Sequence, residues 1–339
     1  MQKRLAIVIL NWNGQKLLEQ FLPILLSHLP DFAEVIIADN ASTDGSVNFL
    51  NMHYPELRLI QNEENYGFAK GYNVALKQVD AEYYCLLNSD IEVTENWLFP
   101  IMDLLDSQSD VAAVQPKLLS YGEKGKFEYA GASGGFIDKY GYPFCRGRVF
   151  DTIEADENQY DNAIDVFWAS GAALFVRSHV YWQVGGLDDD FFAHMEEIDL
   201  CWRIKNAGYR IMVEPQSVIY HVGGGTLPKQ NPFKTYLNFR NNHFLLIKNL
   251  PRHRLFPTFW VRLILDNVAA LSFLFKGNGK DFAAVYKAHA AVVKQYARMR
   301  KKRSGGNHSA YKDVLQTPCL VAYHLKNQKY FNGTCFEKK

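Results

Sequence analysis

Short apolar runs alternate with amphipathic segments in the first part of the chain. The runs predict buried β-strands, and they occupy residues 5–10, 35–38, 57–60 and 83–87. Between the first two runs, Leu17, Leu18, Phe21 and Leu25 recur at helical spacing, and similar patterns follow the next two runs. Because such alternation is typical of βαβ units, we predict an α/β fold whose mostly parallel sheet is flanked by helices.

The pattern changes in the later part of the chain. Residues 121–165 are rich in glycine, aspartate and aromatic side chains, which predicts a long loop-rich segment. Three strands and one helix are predicted after it, the strands at 173–176, 210–214 and 218–220 and the helix from about 197 to 207.

After Pro251 the pattern predicts two helices and a polar tail. We therefore expect an α/β domain over residues 1–248, a basic helical appendage over 249–303 and a tail over 304–339.

Composition and charge refine this picture. The 339 residues are 48% hydrophobic and 22% charged, which excludes a disordered chain. The net charge is only +1, yet residues 248–303 contain 13 Lys and Arg against Asp266 and Asp281. A basic segment on an acidic body predicts contact with an anionic surface. The five cysteines are scattered without a CxxC pair, which favours a reducing compartment.

The basic segment contains two amphipathic patterns. Residues 255–275 are apolar enough to span a bilayer, but Arg262, Asp266 and Asn267 lie in the middle, so we expect an interfacial or buried helix. Apolar side chains from Phe282 to Met299 share one helix face, and basic side chains gather on another. We predict docking on an anionic membrane surface. The alternative is a helical hairpin packed on the α/β domain, with its charged face in solvent.

Nucleic-acid binding is not expected, because the basic segment lacks interleaved aromatic residues that would form a stacking platform.

Polar residues follow each strand of the first part, where parallel sheets bind their ligands. Asn11 follows the first strand, Asp39 the second, and Asn88-Ser89-Asp90 the fourth. Turn and helix-cap chemistry accounts for many such residues, but less well for an acid directly at a strand end twice. Neither GxGxxG nor GxxxxGK[ST] is present, so the phosphate cradles of dinucleotide and P-loop folds are missing.

Six sequence blocks carry a resemblance to a known family. In order they are VILNWNG, IIADNASTDGS, NYGFAKGYN, LLNSDIEVTENWL, WASGAALFVRSHVYWQVGGLDDDFFAHMEEIDLCWRIKNAGYR and YHVGGGT. From about Leu5 to Arg240 the chain resembles family 2 glycosyltransferases, which have the GT-A fold, and most closely their rhamnosyltransferase-like branch in cell-surface polysaccharide synthesis. The QxxRW motif of processive synthases is absent, which favours addition of a single sugar.

The resemblance implies a divalent metal, Mg or Mn, and a nucleotide-sugar donor. A metal stabilises the diphosphate as it leaves, and its implied ligands are Asp90 and His221.

Asp39 matches the base-binding position of the family, where a carboxylate accepts a hydrogen bond from the N3–H of uracil or thymine. UDP- or dTDP-sugars are therefore the favoured donors, with dTDP-rhamnose one candidate. The other donor-binding candidates are Asn11, Asn65, Gly67, Lys70, Gly71, Asn88 and Arg240. The glycines after His221 are expected to close over the donor as a lid.

The predicted acceptor is a hydroxyl of a lipid-linked glycan, and the resemblance implies that Trp168, Gly171 and Ala172 form the wall beside it.

 The small residues there leave room for a sugar, and an aromatic ring can stack on it; a tryptophan packed in the core is the alternative for Trp168. The scattered cysteines and the basic amphipathic helices together predict a cytoplasmic enzyme, peripheral on the inner face of the cytoplasmic membrane.

The catalytic base is expected among the acids near the start of the 197–207 helix. An inverting transfer needs a group that takes the proton of the attacking hydroxyl. Glu197 matches the aspartate of the family's Glu-Asp pair, and Glu196 is expected to bind the acceptor or share the proton. Asp199 is the better candidate for a helix cap. The run 188–190 is expected to be a solvated turn.

Two other classes of function stay open at this point. A sugar-nucleotide nucleotidyltransferase also has a nucleotide-binding α/β sheet and a metal, but it needs a glycine-rich basic loop at the N-terminus, and NWNGQKLL is poor in both. A non-catalytic glycan- or nucleotide-binding module is disfavoured by the intact Asp39, Asp90, Glu197 and His221.

Overall fold

The computed structural model describes residues 3–223, 231–303, 307–331 and 336. Its strands are β1 (Leu5–Asn11), β2 (Ala33–Asp39), β3 (Arg58–Gln61), β4 (Tyr83–Leu87), β5 (Ile91–Val93), β6 (Val111–Ser120), β7 (Gly135–Ile137), β8 (Pro143–Cys145), β9 (Arg148–Val149), β10 (Thr152–Ile153), β11 (Ile164–Asp165), β12 (Ala173–Arg177) and β13 (Arg210–His221). Its helices are α1 (Gln15–Ser27), α2 (Ser46–His53), α3 (Gly67–Leu76), α4 (Leu98–Ser107), α5 (Ser178–Gln183), α6 (Glu196–Asn206), α7 (Pro232–Asn249), α8 (Arg252–Phe275) and α9 (Gly279–Lys301).

The large sheet has the order β11-β13-β6-β12-β4-β1-β2-β3, with β5 paired to β13. Strands β1 to β4 are parallel to one another, as the βαβ pattern predicts. Strand β12 lies antiparallel between β4 and β6, so the sheet is mixed. The predicted α/β class is confirmed. The predicted strands at 210–214 and 218–220 are one continuous strand, β13, whose register shifts between Glu214 and Val218.

Helices cover both faces of this sheet. Strand β1 shows why, because Leu5, Ile7 and Ile9 point to one face and Ala6 and Val8 to the other, and all are buried. Helices α1, α2 and α4 pack on the first face, and α3, α5, α6 and α7 pack on the second. The segment predicted to be loop-rich contains a small antiparallel sheet, β10-β9-β8-β7, whose strands are too short to give a periodic signal.

The two predicted C-terminal helices are present as α8 and α9. The single apolar face expected on α9 divides into two rows: Val285, Val292 and Met299 are buried against the domain, whereas Tyr286, Val293 and Tyr296 are exposed. The tail also contributes buried side chains to the core of the second face, among them Phe331 and Phe336. The appendage is therefore packed on the α/β domain.

Helix α8 buries charged side chains and exposes apolar ones. The charged residues Arg262 and Asp266, which the sequence places in the middle of an apolar stretch, are buried and paired with each other. The outward face is apolar, with Phe256, Trp260 and Ile264 more than half exposed. Among the described residues, α8 is the one helix long and apolar enough to cross a membrane by length and composition, and 22% of its most apolar window is buried.

Candidate active site

The carboxyl ends of β1, β2, β4 and β13 lie at one edge of the large sheet. Asn11 at the end of β1 is opposite Asp39 at the end of β2. Because β12 runs antiparallel to β4, its first residue, Ala173, is opposite Leu87 at the end of β4. The residues that precede β12 are therefore brought to the residues that follow β4, and the backbone N–H of Asn88 donates to the carbonyl of Ala172 at 2.9 Å.

Asp39 is buried and held by its neighbours on the donor side of this edge. Its Oδ1 accepts from Asn11 Nδ2 at 3.0 Å, and its Oδ2 accepts from the backbone N–H of Ser42 at 2.9 Å. Within the described residues, Asn11 Oδ1 is buried without a hydrogen-bond partner. The cluster thus presents a fixed carboxylate and an amide oxygen, both acceptors, where the sequence predicts the nucleotide base.

Asn40 organises the adjoining loop, a role that the sequence does not reveal. Its Nδ2 donates to Asn65 Oδ1 at 2.9 Å and to the carbonyl of Gly67 at 3.1 Å. Its Oδ1 accepts from Asn62 Nδ2 at 3.0 Å and from the backbone N–H of Tyr66 at 3.2 Å. Asn65 is thus part of the hydrogen-bond network that shapes the entry to α3.

The glycines and the lysine of α3 differ in their surroundings. Gly67 has φ +72°, and a Cβ there would lie 2.5 Å from a ring carbon of Phe192, so the position requires glycine. A Cβ on Gly71 would lie 3.0 Å from the Leu10 side chain. Lys70 Nζ lies 3.7 Å from the centroid of the Tyr66 ring, and the lysine side chain is 42% exposed. Gly67 and Gly71 therefore permit close packing, while Lys70 is accessible to a ligand.

Asp90 and His221 form the predicted metal-binding corner. Asp90 follows β4 and His221 ends β13, and Nε2 of the imidazole is 3.1 Å from Oδ1 of the carboxylate. Asn88 Nδ2 is 3.5 Å from the same ring nitrogen. The other ring nitrogen, Nδ1, is 3.4 Å from Oε2 of Glu128, a buried acid that the sequence analysis missed because it lies in the segment predicted to be loop-rich.

The electrostatics of this corner favour a cation. Burial acts to lower the pKa of His221, but the carboxylates of Asp90 and Glu128 outweigh it and raise that pKa to about 10. Burial acts to raise the pKa of Asp90, but His221 outweighs it and holds that pKa below its ordinary value. The ring proton therefore supplies a positive charge between two carboxylates. A divalent ion can supply that charge instead, and the oxygen and nitrogen donors of Asp90 and His221 fit Mg or Mn.

Glu196 and Glu197 open helix α6 directly after a tight turn. His194 and Met195 both have left-handed backbone conformations, with φ of 70° and 71°, and they direct the chain into the helix. Within the described residues, Oε2 of each glutamate is buried without a hydrogen-bond partner. Burial raises the pKa of Glu197 to about 7. Burial and the charge of Glu197 raise the pKa of Glu196 well above its ordinary value.

The prediction of a cap at Asp199 is wrong, and the predicted solvated turn at 188–190 is correct only for Asp189, which is exposed. Asp188 and Asp199 are buried, and Lys248 Nζ lies 2.5 Å from a carboxylate oxygen of the first and 2.7 Å from one of the second. Lys302 pairs with Asp188 and Asp190. Two lysines therefore anchor the turn: Lys248 on α7 and Lys302, the residue after α9. Buried carboxylates need such partners.

Helix α7 also holds the segment that leads to Glu196. Asn241 Nδ2 donates to the carbonyls of Phe191, Ala193 and His194 at 2.7–2.9 Å. Arg240 Nη2 donates to the carbonyl of Phe191 at 2.8 Å, and its Nε donates to Asn241 Oδ1. In this conformation, these contacts give Arg240 a role in shaping the loop, and its predicted contact with the donor stays a prediction.

The predicted acceptor wall lies beside the glutamates. A Cβ built on Gly171 would lie 3.6 Å from the Glu197 side chain and 3.4 Å from Phe68. Trp168 is buried, and its Nε1 donates to the carbonyl of Phe136 at 2.8 Å, so its indole is packed in the protein. Of the predicted glycine-rich lid, Gly224, Gly225 and Thr226 lie outside the described residues.

Solved structures with the same fold are glycosyltransferases. The chain is similar to GalNAc-T7 with UDP, GalNAc and Mn²⁺, with a TM-score of 0.60 and 12% identity over 87% of this chain and 58% of that longer chain. It is also similar to mannosyltransferase PcManGT from Pyrobaculum calidifontis in complex with GDP-Man and Mn²⁺, with a TM-score of 0.52 and 16% identity over 92% of this chain and 87% of that one. The fold is the GT-A fold of glycosyltransferases.

The sequence comparisons identify the family. The family model for glycosyl transferase family 2 matches residues 6–178, and the chain belongs to that family. It is 26% identical over 232 residues to an N-acetylglucosaminyl-diphospho-decaprenol L-rhamnosyltransferase of Mycobacterium tuberculosis, covering 64% of this chain and 75% of the relative. It is 25% identical over 207 residues to rhamnosyltransferase WbbL of Escherichia coli strain K12, and the match covers 58% of this chain and 76% of the relative. The chain is a glycosyltransferase, and the predicted resemblance is confirmed.

Proposed function

We propose that the protein transfers one sugar, with inversion, from a UDP- or dTDP-sugar to a hydroxyl of a lipid-linked glycan in cell-surface polysaccharide synthesis. The observation that carries this proposal is the position of Glu197, a half-buried residue whose Oε2 is buried and whose pKa is raised by burial to about 7. Its side chain adjoins Gly171, and the next residue, Ala172, is hydrogen-bonded to Asn88 beside Asp90. The proposed base and the proposed metal-binding corner therefore lie on either side of Gly171 and Ala172 at this edge of the sheet.

The residues act as follows in the proposed reaction. Glu197 takes the proton of the acceptor hydroxyl while its oxygen forms a bond to the anomeric carbon, and the bond from that carbon to the diphosphate oxygen breaks on the opposite side. Asp90 and His221 would hold a divalent ion, which stabilises the charge that grows on the departing diphosphate. The carboxylate of Glu128, 3.4 Å from Nδ1, adds a second negative charge beside the imidazole of His221. The raised pKa of Glu196 favours its protonated form, in which its O–H can donate to the acceptor.

The choice of donor rests on the Asp39 cluster. The Asp39 carboxylate accepts hydrogen bonds, and so does the free Oδ1 of Asn11. Uracil and thymine offer an N3–H donor, whereas adenine and cytosine lack one at that position. Two rhamnosyltransferases among the relatives support dTDP-rhamnose as the first donor to test.

The acceptor proposal rests on the outward face of the appendage. Phe256, Trp260 and Ile264 on α8 and Val293 on α9 are exposed apolar side chains, and the same two helices carry exposed basic residues, among them Arg254, Lys287 and Lys294. Such a surface fits an anionic lipid headgroup region, where each nearby basic group contributes about 1 kcal/mol. Docking there brings the enzyme to the inner face of the cytoplasmic membrane, where a lipid-linked acceptor is accessible.

The decisive experiment incubates the protein with UDP- and dTDP-sugars and with Mg²⁺ or Mn²⁺. A glycosyltransferase releases UDP or dTDP in a metal-dependent reaction. A nucleotidyltransferase instead releases pyrophosphate from a nucleoside triphosphate and a sugar phosphate, and a binding module gives neither product. Absence of nucleoside diphosphate release with every donor, with and without lipid-linked acceptors, would contradict the proposal.

A further inference from the structure

Three helices of the C-terminal region each place one metal-ligating side chain at the same point. His243 comes from α7, Asp266 from α8 and His289 from α9. One ligand atom from each of these residues lies within 4.8 Å of the other two. The group is distinct from the Asp90 and His221 corner, and the glycosyl transfer proposed above makes no use of it.

The geometry of this group is compact. Oδ2 of Asp266 is 2.8 Å from Nε2 of His243 and 3.1 Å from Nε2 of His289. In a tetrahedral zinc site, with ligand distances near 2.0–2.2 Å, ligand atoms are roughly 3.3 Å apart. Small shifts of these side chains would therefore give three vertices of a tetrahedron, and a water molecule would supply the fourth.

The surroundings orient the ligands. Arg262 Nη2 binds the other carboxylate oxygen of Asp266, Oδ1, at 3.0 Å, which leaves Oδ2 directed at the two imidazoles. The His243 ring packs on Phe259, with ring centroids 5.1 Å apart. Outer contacts of this kind fix the orientation of metal ligands in proteins. Arg262 also balances the charge of the buried carboxylate, so the site does not need a metal to fold.

We propose that His243, Asp266 and His289 form a zinc site that fastens α7, α8 and α9 together. Two imidazoles and one carboxylate suit Zn²⁺ better than Mg²⁺, which prefers oxygen ligands. His289 is 19% exposed, which gives the ion a route from solvent.

The site has a consequence for α7. His243 is two residues from Asn241, which holds the carbonyls of the loop that leads to Glu196. A metal bound at His243 would therefore brace the helix that positions this loop.

The test uses the full-length protein without a polyhistidine tag. After treatment with EDTA and equilibration with Zn²⁺, elemental analysis should give one zinc per chain, and Co²⁺ should give the visible absorption of a tetrahedral site. His289→Gln keeps an amide that can donate to Asp266, so the fold is retained, but zinc affinity should fall at least about 100-fold. His253→Gln, which changes an exposed histidine of α8, is the matched control and should bind zinc like the wild type.

A second variant distinguishes the two proposed metal sites in the experiment. Asp90→Ala should lose Mn²⁺ binding and retain zinc, and zinc should raise Tm in Asp90→Ala but not in His289→Gln. Failure of Mn²⁺-dependent transfer in the wild type would leave this zinc result unaffected. A wild-type protein that retains no zinc after equilibration, or a His289→Gln variant that binds zinc as tightly, would overturn the proposal and leave a hydrogen-bonded cluster.

Discussion

Replacement of Glu197 by glutamine tests the proposed base most directly. Glutamine keeps the length and hydrogen bonding of the side chain but does not accept the proton of the acceptor hydroxyl. We expect kcat to fall about 10²–10⁴-fold, with donor binding nearly unchanged. Because burial raises the pKa of Glu197 to about 7, wild-type kcat/KM should also fall about tenfold for each pH unit below 7, whereas the residual activity of the variant should lack this dependence.

The same pKa predicts an effect on stability. The folded protein binds this proton more tightly than the unfolded chain does, so stability declines as the pH rises from 4.5 to about 7. One pKa unit corresponds to about 1.4 kcal/mol, so the ionised carboxylate costs about 3 kcal/mol at pH 8. Glu197→Gln removes that cost. Its free energy of unfolding should exceed that of the wild type by up to about 3 kcal/mol at pH 8 and match it at pH 4.

Nucleoside diphosphate release across a pH series and urea unfolding at pH 4 and pH 8 measure the two effects. Glu56→Gln, which changes an exposed glutamate, is the control and should alter neither. If Glu196→Gln abolishes turnover while Glu197→Gln is nearly silent, the base is Glu196 and the match to the family's pair is off by one. If both variants turn over like the wild type, the base lies elsewhere.

Three further predictions concern the metal corner, the membrane and the buried ion pairs. Asp90→Ala should abolish metal-dependent turnover and keep the fold, and His221→Ala should weaken Mn²⁺ affinity more mildly, as measured by kinetics across metal concentrations. The wild type should float with phosphatidylglycerol liposomes at low salt, and Trp260→Ser should reduce the bound fraction severalfold. Lys248→Met leaves Asp188 without its main partner and should lower the free energy of unfolding by about 3–5 kcal/mol in urea titrations.

Each of these has an outcome that contradicts it. Near wild-type turnover by Asp90→Ala with Mn²⁺ would remove the metal role of that residue. Flotation that fails equally at low and high salt, or that falls as much in Phe99→Ser on α4 as in Trp260→Ser, would exclude docking through α8. An unchanged urea midpoint for Lys248→Met would show that the pairs with Asp188 and Asp199 add nothing to stability.

The sequence predicts the sheet edge better than its surroundings. Strands β1 to β4 are found within two residues of their predicted ends, because buried parallel strands give long apolar runs. The same runs locate Asp39 and Asp90 at strand ends, while their donor and metal roles rest on the family resemblance and stay predictions. The strands of the small sheet are only two or three residues long, so they carry no periodic signal, and Glu128 beside them was missed for the same reason.

Long-range pairing accounts for most of the other errors. Asp188 is 60 positions from Lys248 and 114 from Lys302, so the local sequence gives no sign that Asp188 is buried. Asn40 and Asn241 resemble ordinary turn and helix residues until the carbonyls that they hold are known. On α9, helical spacing predicts an apolar stripe, but it does not tell which side of that stripe the domain covers.

The pairing of Lys302 with Asp188 and Asp190 limits how the chain can be recombined with its relatives. A chimera that exchanged the helices after α7 would lose the lysine that binds the turn, unless the incoming segment carried a basic residue at the same place. The carboxylates would then be left buried with fewer partners, next to the loop that aims Glu196 and Glu197. The C-terminal helices and the turn at 188–190 are therefore expected to be inherited together, and successful exchanges should be those that carry both halves of the ion pairs.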